Sequence, residues 1–157
     1  MAFGTYMALV LDKSSRRLLK EMAEIYIDDI GDYKWDGDHM TITMDADDEQ
    51  LAQDGAISRV RTKAVGSNGR VVAVAVDDGG LSENSKPHIT LGMAGGAKGE
   101  ESNKLKFNQR FPKLVLKGKI KVFDSKRAST MDRNYIASEL VTAAREITAG
   151  GQWLEAY

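Results

Sequence analysis

The chain has 157 residues, enough for one domain with a buried core, and is 42% hydrophobic and 29% charged. Its 22 basic and 23 acidic residues leave a formal net charge of -1. Proteins that grip long nucleic acid through its phosphates carry a clear basic excess, so an extended nucleic-acid surface is disfavoured while a small anionic ligand is not. With no cysteine, disulfides, thiolate metal sites and cysteine nucleophiles are excluded.

In chain order, the apolar run Tyr6 to Leu11, closed by Asp12, reads as a buried first strand rather than a leader peptide. Asp12 to Ser15 is a turn with a Ser to cap a helix over roughly Ser15 to Tyr26, where Leu18, Leu19, Met22 and Ile25 recur at helical spacing. Asp28 to Asp38 is a polar loop holding Tyr33 and Trp35. His39 to Met44 alternates strictly and reads as a strand, followed by an acidic, loop-like stretch from Asp45 to Gly55 with room for a short helical turn, of which Asp45 to Glu49 reads as a solvated turn. A strand over Ile57 to Val65 carries Arg59, Arg61 and Lys63. Ser67-Asn68-Gly69 then turns the chain into a strongly β segment from Arg70 to Val76.

His88 to Met93, entered through Pro87, is a second strictly alternating strand. Ala94 to Ser102 is rich in glycine and reads as a mobile loop. Lys113 to Phe123 is a long strand with Leu114, Leu116, Ile120 and Val122 as its apolar points. A last helix begins near Ser129 to Asp132, runs along Ile136, Leu140, Ala144 and Ile147, and stops at Gly150-Gly151. Several strands with two or so helices imply an α+β chain forming a single domain over residues 1–157. No apolar stretch is long enough to span a membrane, and a cytoplasmic setting is expected.

The chemistry lies in a repeated strand unit. Residues i and i+2 of a strand share a face, so His39 and Thr41 lie opposite Met40 and Ile42. Likewise His88 and Thr90 lie opposite Ile89 and Leu91. Each strand thus has an apolar side and a side bearing a proton-moving His and a hydrogen-bonding Thr. Two such strands around one phosphate supply a general base, a general acid and two hydroxyls for the non-bridging oxygens, so no metal or other cofactor is required. The chain has only two histidines. Thr is roughly one residue in twenty, so both acquiring a Thr two places on by accident has odds of about one in four hundred. The plainer reading is two ordinary strand histidines. A metal site from His39, Asp36 and Asp38 lacks a further histidine to complete it.

His39-Met40-Thr41-Ile42 and His88-Ile89-Thr90-Leu91 resemble the paired His-x-Thr-x signatures of the 2H phosphoesterase superfamily. The order of an opening strand and helix before the first motif is also similar. The resemblance implies a bilobal α+β fold, with antiparallel sheets and flanking helices around a central cleft and one motif strand in each lobe. It further implies catalytic roles for His39, Thr41, His88 and Thr90. Members of that family include RNA 2′,3′-cyclic phosphodiesterases, the cyclic phosphodiesterase part of tRNA ligases, and the anti-CBASS enzymes with which phages destroy cyclic-oligonucleotide immune signals. The expected activity is therefore hydrolysis of a cyclic nucleotide or cyclic oligonucleotide, in the host cytoplasm if the chain is phage-encoded. The alternatives are action on RNA ends bearing 2′,3′-cyclic phosphate, and a module that binds a nucleotide without cutting it.

Further substrate-binding candidates come from position. Lys86 shares the face of His88 in an extended chain, and Lys98 in the glycine-rich loop is placed to close over a ligand. Trp35, with Tyr33, stands just before the first motif and either stacks on a nucleobase or tucks onto the core. Tyr6 reaches either the cleft or the core. Arg59, Arg61 and Lys63 read first as a solvent-exposed sheet face and second as a cleft lining.

Overall fold

All six strands expected from the sequence are formed, and they close on one another. The computed structural model describes residues 5–124, so the helix expected after Ser129 lies outside the described residues. The six are β1 (Thr5–Leu11), β3 (His39–Thr43), β4 (Ile57–Ser67), β5 (Val71–Asp77), β6 (His88–Met93) and β8 (Val115–Asp124). Two short strands, β2 (Lys34–Trp35) and β7 (Gln109–Arg110), lie beside β6 and β4. Among the described residues the α-helices are α1 (Lys13–Tyr26) and the single turn α2 (Asp48–Leu51), with 3-10 turns at Ile30–Asp32 and Gly99–Lys104. No described helix is long and apolar enough to cross a membrane.

Around the barrel the order is β6, β3, β1, β8, β4, β5 and back to β6, every pairing antiparallel. Period-2 alternation explains why this ring is stable: each strand turns its apolar side inward. Met7, Leu9 and Leu11 of β1 meet Met40 and Ile42 of β3, Val72, Val74 and Val76 of β5, Ile89 and Leu91 of β6, and Leu116 and Ile120 of β8 in one core. Helix α1 adds Leu19 and Ala23 to that core, and its C-cap residue Ile27 joins them. Its start is fixed by Asp12, whose Oδ1 accepts from the Ser15 N–H at 2.8 Å. The Ser15 hydroxyl in turn accepts from the Lys117 N–H at 2.8 Å, tying the helix to β8.

The expected bilobal α+β fold is not what forms. The two motif strands do not belong to separate lobes: β3 and β6 are neighbours, with Met40 opposite Ile89, in one mostly-sheet closed barrel. The physical reason is that the inward apolar sides of all six strands share a single interior; among the described residues the other buried cluster is the small group Val71, Met93 and Ala97, too few to be the core of another lobe. Alternation specifies which side of a strand is buried but not which strand lies next to it.

Two loop expectations also change. The stretch from Asp28 to Asp38 contains a 3-10 turn and β2. The glycine-rich stretch expected to be mobile leads into the 3-10 turn Gly99–Lys104, which is pinned from several directions as described below.

Candidate active site

The pairing of β3 with β6 decides the geometry. Directly opposed residues of an antiparallel pair share a face. With Met40 opposite Ile89, one step along the register sets Thr41 beside His88 and His39 beside Thr90. These four side chains form a two-by-two array on the outer face of the barrel, each half-buried, while Met40, Ile42, Ile89 and Leu91 point into the core. The histidines occupy one diagonal and the threonines the other. Diagonal neighbours lie about 7–8 Å apart at Cα, a spacing that leaves room for one phosphate between two imidazoles.

The flanking strands extend both rows. Ala8 of β1 is opposite Thr41 and Val10 is opposite His39. Ala75 of β5 is opposite His88 and Ala73 is opposite Thr90. On β8, Lys121 is opposite Ala8 and Lys119 opposite Val10. The polar residues therefore stand between rows of small side chains, with lysines at one margin. Lys117, Lys119 and Lys121 alternate with Leu116, Ile120 and Val122, and period-2 alternation puts the three lysines on one outer face.

Each threonine is backed by a second hydroxyl. Tyr6 Oη lies 2.9 Å from Thr41 Oγ1, and Ser102 Oγ lies 3.0 Å from Thr90 Oγ1. Burial, with the negative charge of Asp36 adding to it and the Thr41 hydrogen bond opposing it, pushes the Tyr6 phenol up to about 12. It is thus a phenol, not a phenolate, across the working pH range. A Tyr6 proton donated to Thr41 leaves the threonine proton free for a ligand oxygen. Tyr6 also packs against Phe123, ring centroids 5.8 Å apart, so it belongs to the site face and not to the barrel interior.

His88 has a defined proton arrangement. Its Nδ1 lies 2.9 Å from the Lys86 carbonyl oxygen. A carbonyl only accepts, so Nδ1 carries the proton and Nε2 presents its lone pair. Burial lowers the His88 pKa below 6.5, the Lys86 hydrogen bond opposing it. His88 is therefore neutral at pH 7, with a bare Nε2. The Phe107 ring stacks near it at 6.1 Å and 28°.

The first motif is positioned by a bulge. β2 and β3 run along the same edge of β6, the other edge being taken by β5. Between them the Asp36 N–H donates to the Leu91 carbonyl at 2.7 Å and the Gly37 N–H to the Thr90 carbonyl at 2.8 Å. Gly37 has φ +60, and a Cβ there would run into the Trp35 ring. Such bulges re-aim neighbouring side chains; this one brings the charge of Asp36 to bear on both Tyr6 and Asp38. Asp38 is pushed up to about 6, chiefly by burial and further by Asp36, with Arg16 opposing.

The other expected binding residues separate. Trp35 is half-buried against the core edge as part of β2 and covers Gly37. Lys98 is exposed at the start of the Gly99–Lys104 turn, its N–H donating to Glu101 at 2.8 Å. Lys86 lines a small cleft near His88 together with Lys63 and Phe107. Arg59 and Arg61 are exposed on the outer face of β4 and do not line that cleft. Ser102 and Phe107 were not singled out from the sequence, since neither carries a local pattern. Among the described residues no group of three or more His, Asp or Glu side chains is assembled to hold a metal ion. No family model matches the chain, and no curated protein matches its sequence.

Proposed function

We propose that the chain is a phosphodiesterase of the 2H type, hydrolysing a cyclic nucleotide or cyclic oligonucleotide with both proton transfers supplied by histidine. The observation that carries this reading is the pairing of Met40 with Ile89, which sets both His-x-Thr units on one face with histidines and threonines on crossed diagonals. In an in-line displacement at phosphorus, the entering and leaving oxygens lie opposite one another and the non-bridging oxygens lie across them. A phosphate centred on the array meets those demands. The histidines flank the bonds that form and break, and Thr41 and Thr90 face the oxygens on which negative charge builds.

The tautomer divides the roles. His88 Nε2 takes a proton from the attacking water as its oxygen bonds to phosphorus. His39, protonated, gives a proton to the ribose oxygen as its bond to phosphorus breaks. The products are a phosphomonoester and a free hydroxyl, with one proton moved onto His88 and one off His39, exchanged back through solvent. A Tyr6–Thr41 pair and a Ser102–Thr90 pair hold the two hydroxyl donors in place.

The test is turnover of cyclic dinucleotides and a 2′,3′-cyclic mononucleotide in EDTA. The native protein is compared with His39→Ala and His88→Ala. Each variant is expected to lose about two to four orders of magnitude, the usual worth of a positioned acid or base. Turnover that survives both substitutions, or no turnover of any diester, would falsify the reading. Faster opening of the 2′,3′-cyclic phosphate than of any cyclic dinucleotide would move the substrate to RNA ends.

A further inference from the structure

Beyond His88, away from the two-by-two array, the outer face carries a cleft of about 210 Å³. Its walls include Lys63 from β4, Ala75 from β5, Ser85, Lys86 and Pro87 from the approach to β6, and Phe107. Three features tie it to the array. Ala75 is the cross-strand neighbour of His88, so the cleft begins one strand spacing, about 5 Å, from that histidine. Lys86 lines the cleft and gives its carbonyl to His88 Nδ1. Phe107 stands between the two, lining the cleft and stacking near the His88 ring.

The chemistry of the walls selects a ligand. Among the described residues two lysines and no carboxylate line the cleft, so these walls carry charge of one sign, and a cleft focuses such a field. Lysine offers a compact charge with three donors and is a common partner of phosphate. Pockets that engulf a drug-sized molecule run to roughly 300–1,000 Å³. This one is smaller and suits a phosphoryl group with part of its sugar, the small Ala75 leaving room at the floor.

We infer that this cleft is a second phosphate subsite, and that the substrate carries at least two phosphates. The scissile one lies over His39 and His88, and the next lies between Lys63 and Lys86. The inference rests on the two-histidine reading and narrows it, favouring a substrate with consecutive phosphodiesters over an isolated cyclic phosphate. Phe107 is the partition that keeps the two phosphates apart.

The experiment compares a cyclic dinucleotide with a 2′,3′-cyclic mononucleotide, at low salt in EDTA, by calorimetric titration and by turnover. It uses the native protein, Lys63→Met, Lys86→Met and the double variant; methionine keeps the length of the stem and removes the charge. The expected result is a roughly tenfold fall, per lysine, in the preference for the dinucleotide, read in Kd and KM, and partial recovery in Lys63→Arg. A charge-assisted contact is worth about one such factor. If histidine-dependent turnover persists but the preference is the same in all four proteins, the subsite is overturned and the two-histidine reading stands. If the native protein neither binds nor cleaves either ligand, both are overturned.

Discussion

At the scale of single residues, the environment of each titratable group sets what it can do. His88 is neutral at pH 7 because burial lowers its pKa from 6.5. In the proposed mechanism His88 is the general base and must be deprotonated, so lowering its pKa would extend activity to more acidic solution. The acid limb of kcat/KM is expected below pH 6.5, and it is expected to vanish in His88→Ala, measured from pH 4.5 to 8. Asp38 behaves in the opposite sense. Its carboxyl titrates at about 6 in the fold against 3.8 when unfolded, because burial disfavours its charge. Below pH 3.8 it is protonated in both states, and the fold has its full advantage. As pH rises through 6 the proton is lost from the folded chain and that advantage goes with it. Asp38→Asn, which cannot ionise, is therefore expected to be more stable than the native protein at pH 7.5 by on the order of 2 kcal/mol. The gap should close by pH 4, as read by urea unfolding at each pH. The backbone carbonyl of Asp38, which accepts from the Leu11 N–H at 3.0 Å, is unchanged by this substitution.

Among the elements, the Gly99–Lys104 turn shows how a segment with little regular structure is held over the second motif. The Arg70 guanidinium donates to both carboxylate oxygens of Glu101, Nε at 2.8 Å and Nη2 at 3.2 Å, and to the Gly96 carbonyl at 3.1 Å. That hydrogen-bonded ion pair holds Glu101 down at about 2. Asn103 accepts from Asn84 at 2.9 Å, and Ser102, fully buried, meets Thr90. Because the ion pair is at the surface, its own contribution to stability is small; its effect is local, on the ordering of this turn. Arg70→Met is expected to speed amide exchange across residues 98–107 while leaving that of β1 and β8 unchanged. Ser102→Ala is expected to lower kcat by about tenfold with KM little altered, since it removes a partner of the Thr90 hydroxyl and not a contact with substrate. A rise in KM with kcat unchanged would instead assign Ser102 to substrate binding. None of these contacts was legible in the sequence. Ser102, Asn103 and Phe107 reach the site from a stretch with no period of its own, and Arg70 and Glu101 are thirty-one positions apart.

Taken as a whole molecule, the barrel separates what a sequence can express from what it cannot. The six long strands and α1 were legible because alternation and helical spacing are local, although the helix is capped by Asp12 and not by the expected Ser, and the two His-x-Thr units were legible because i and i+2 share a face. β2 was not, since two residues are too few to show a period, and Trp35 was read as a loop aromatic for that reason. Closure was not legible either: the partner of a strand is chosen by the register of distant segments, and six apolar strand faces satisfy one interior as well as two.

Closure makes one position decisive. Gly118 on β8 lies opposite Leu11 on β1, and a Cβ built there would collide with the Val10 carbonyl and crowd the Leu11 Cα. Both are backbone, so the neighbour cannot rotate away. Gly118→Ala must push β1 from β8 or break their ladder, and such overpacking costs about 1–3 kcal/mol. Val10 stands directly opposite His39, so displacing β1 at this point also displaces the first motif. The expected outcome is a fall in Tm of roughly 2–4 °C for each kcal/mol lost, together with a loss of turnover larger than the unfolded fraction explains. Gly31, around which a Cβ meets nothing within 4 Å, is the matching control: Gly31→Ala should leave stability within about 0.5 kcal/mol. Equal effects at both glycines would mean that the β1–β8 contact does not close the sheet, and that the array is held by β3 and β6 alone.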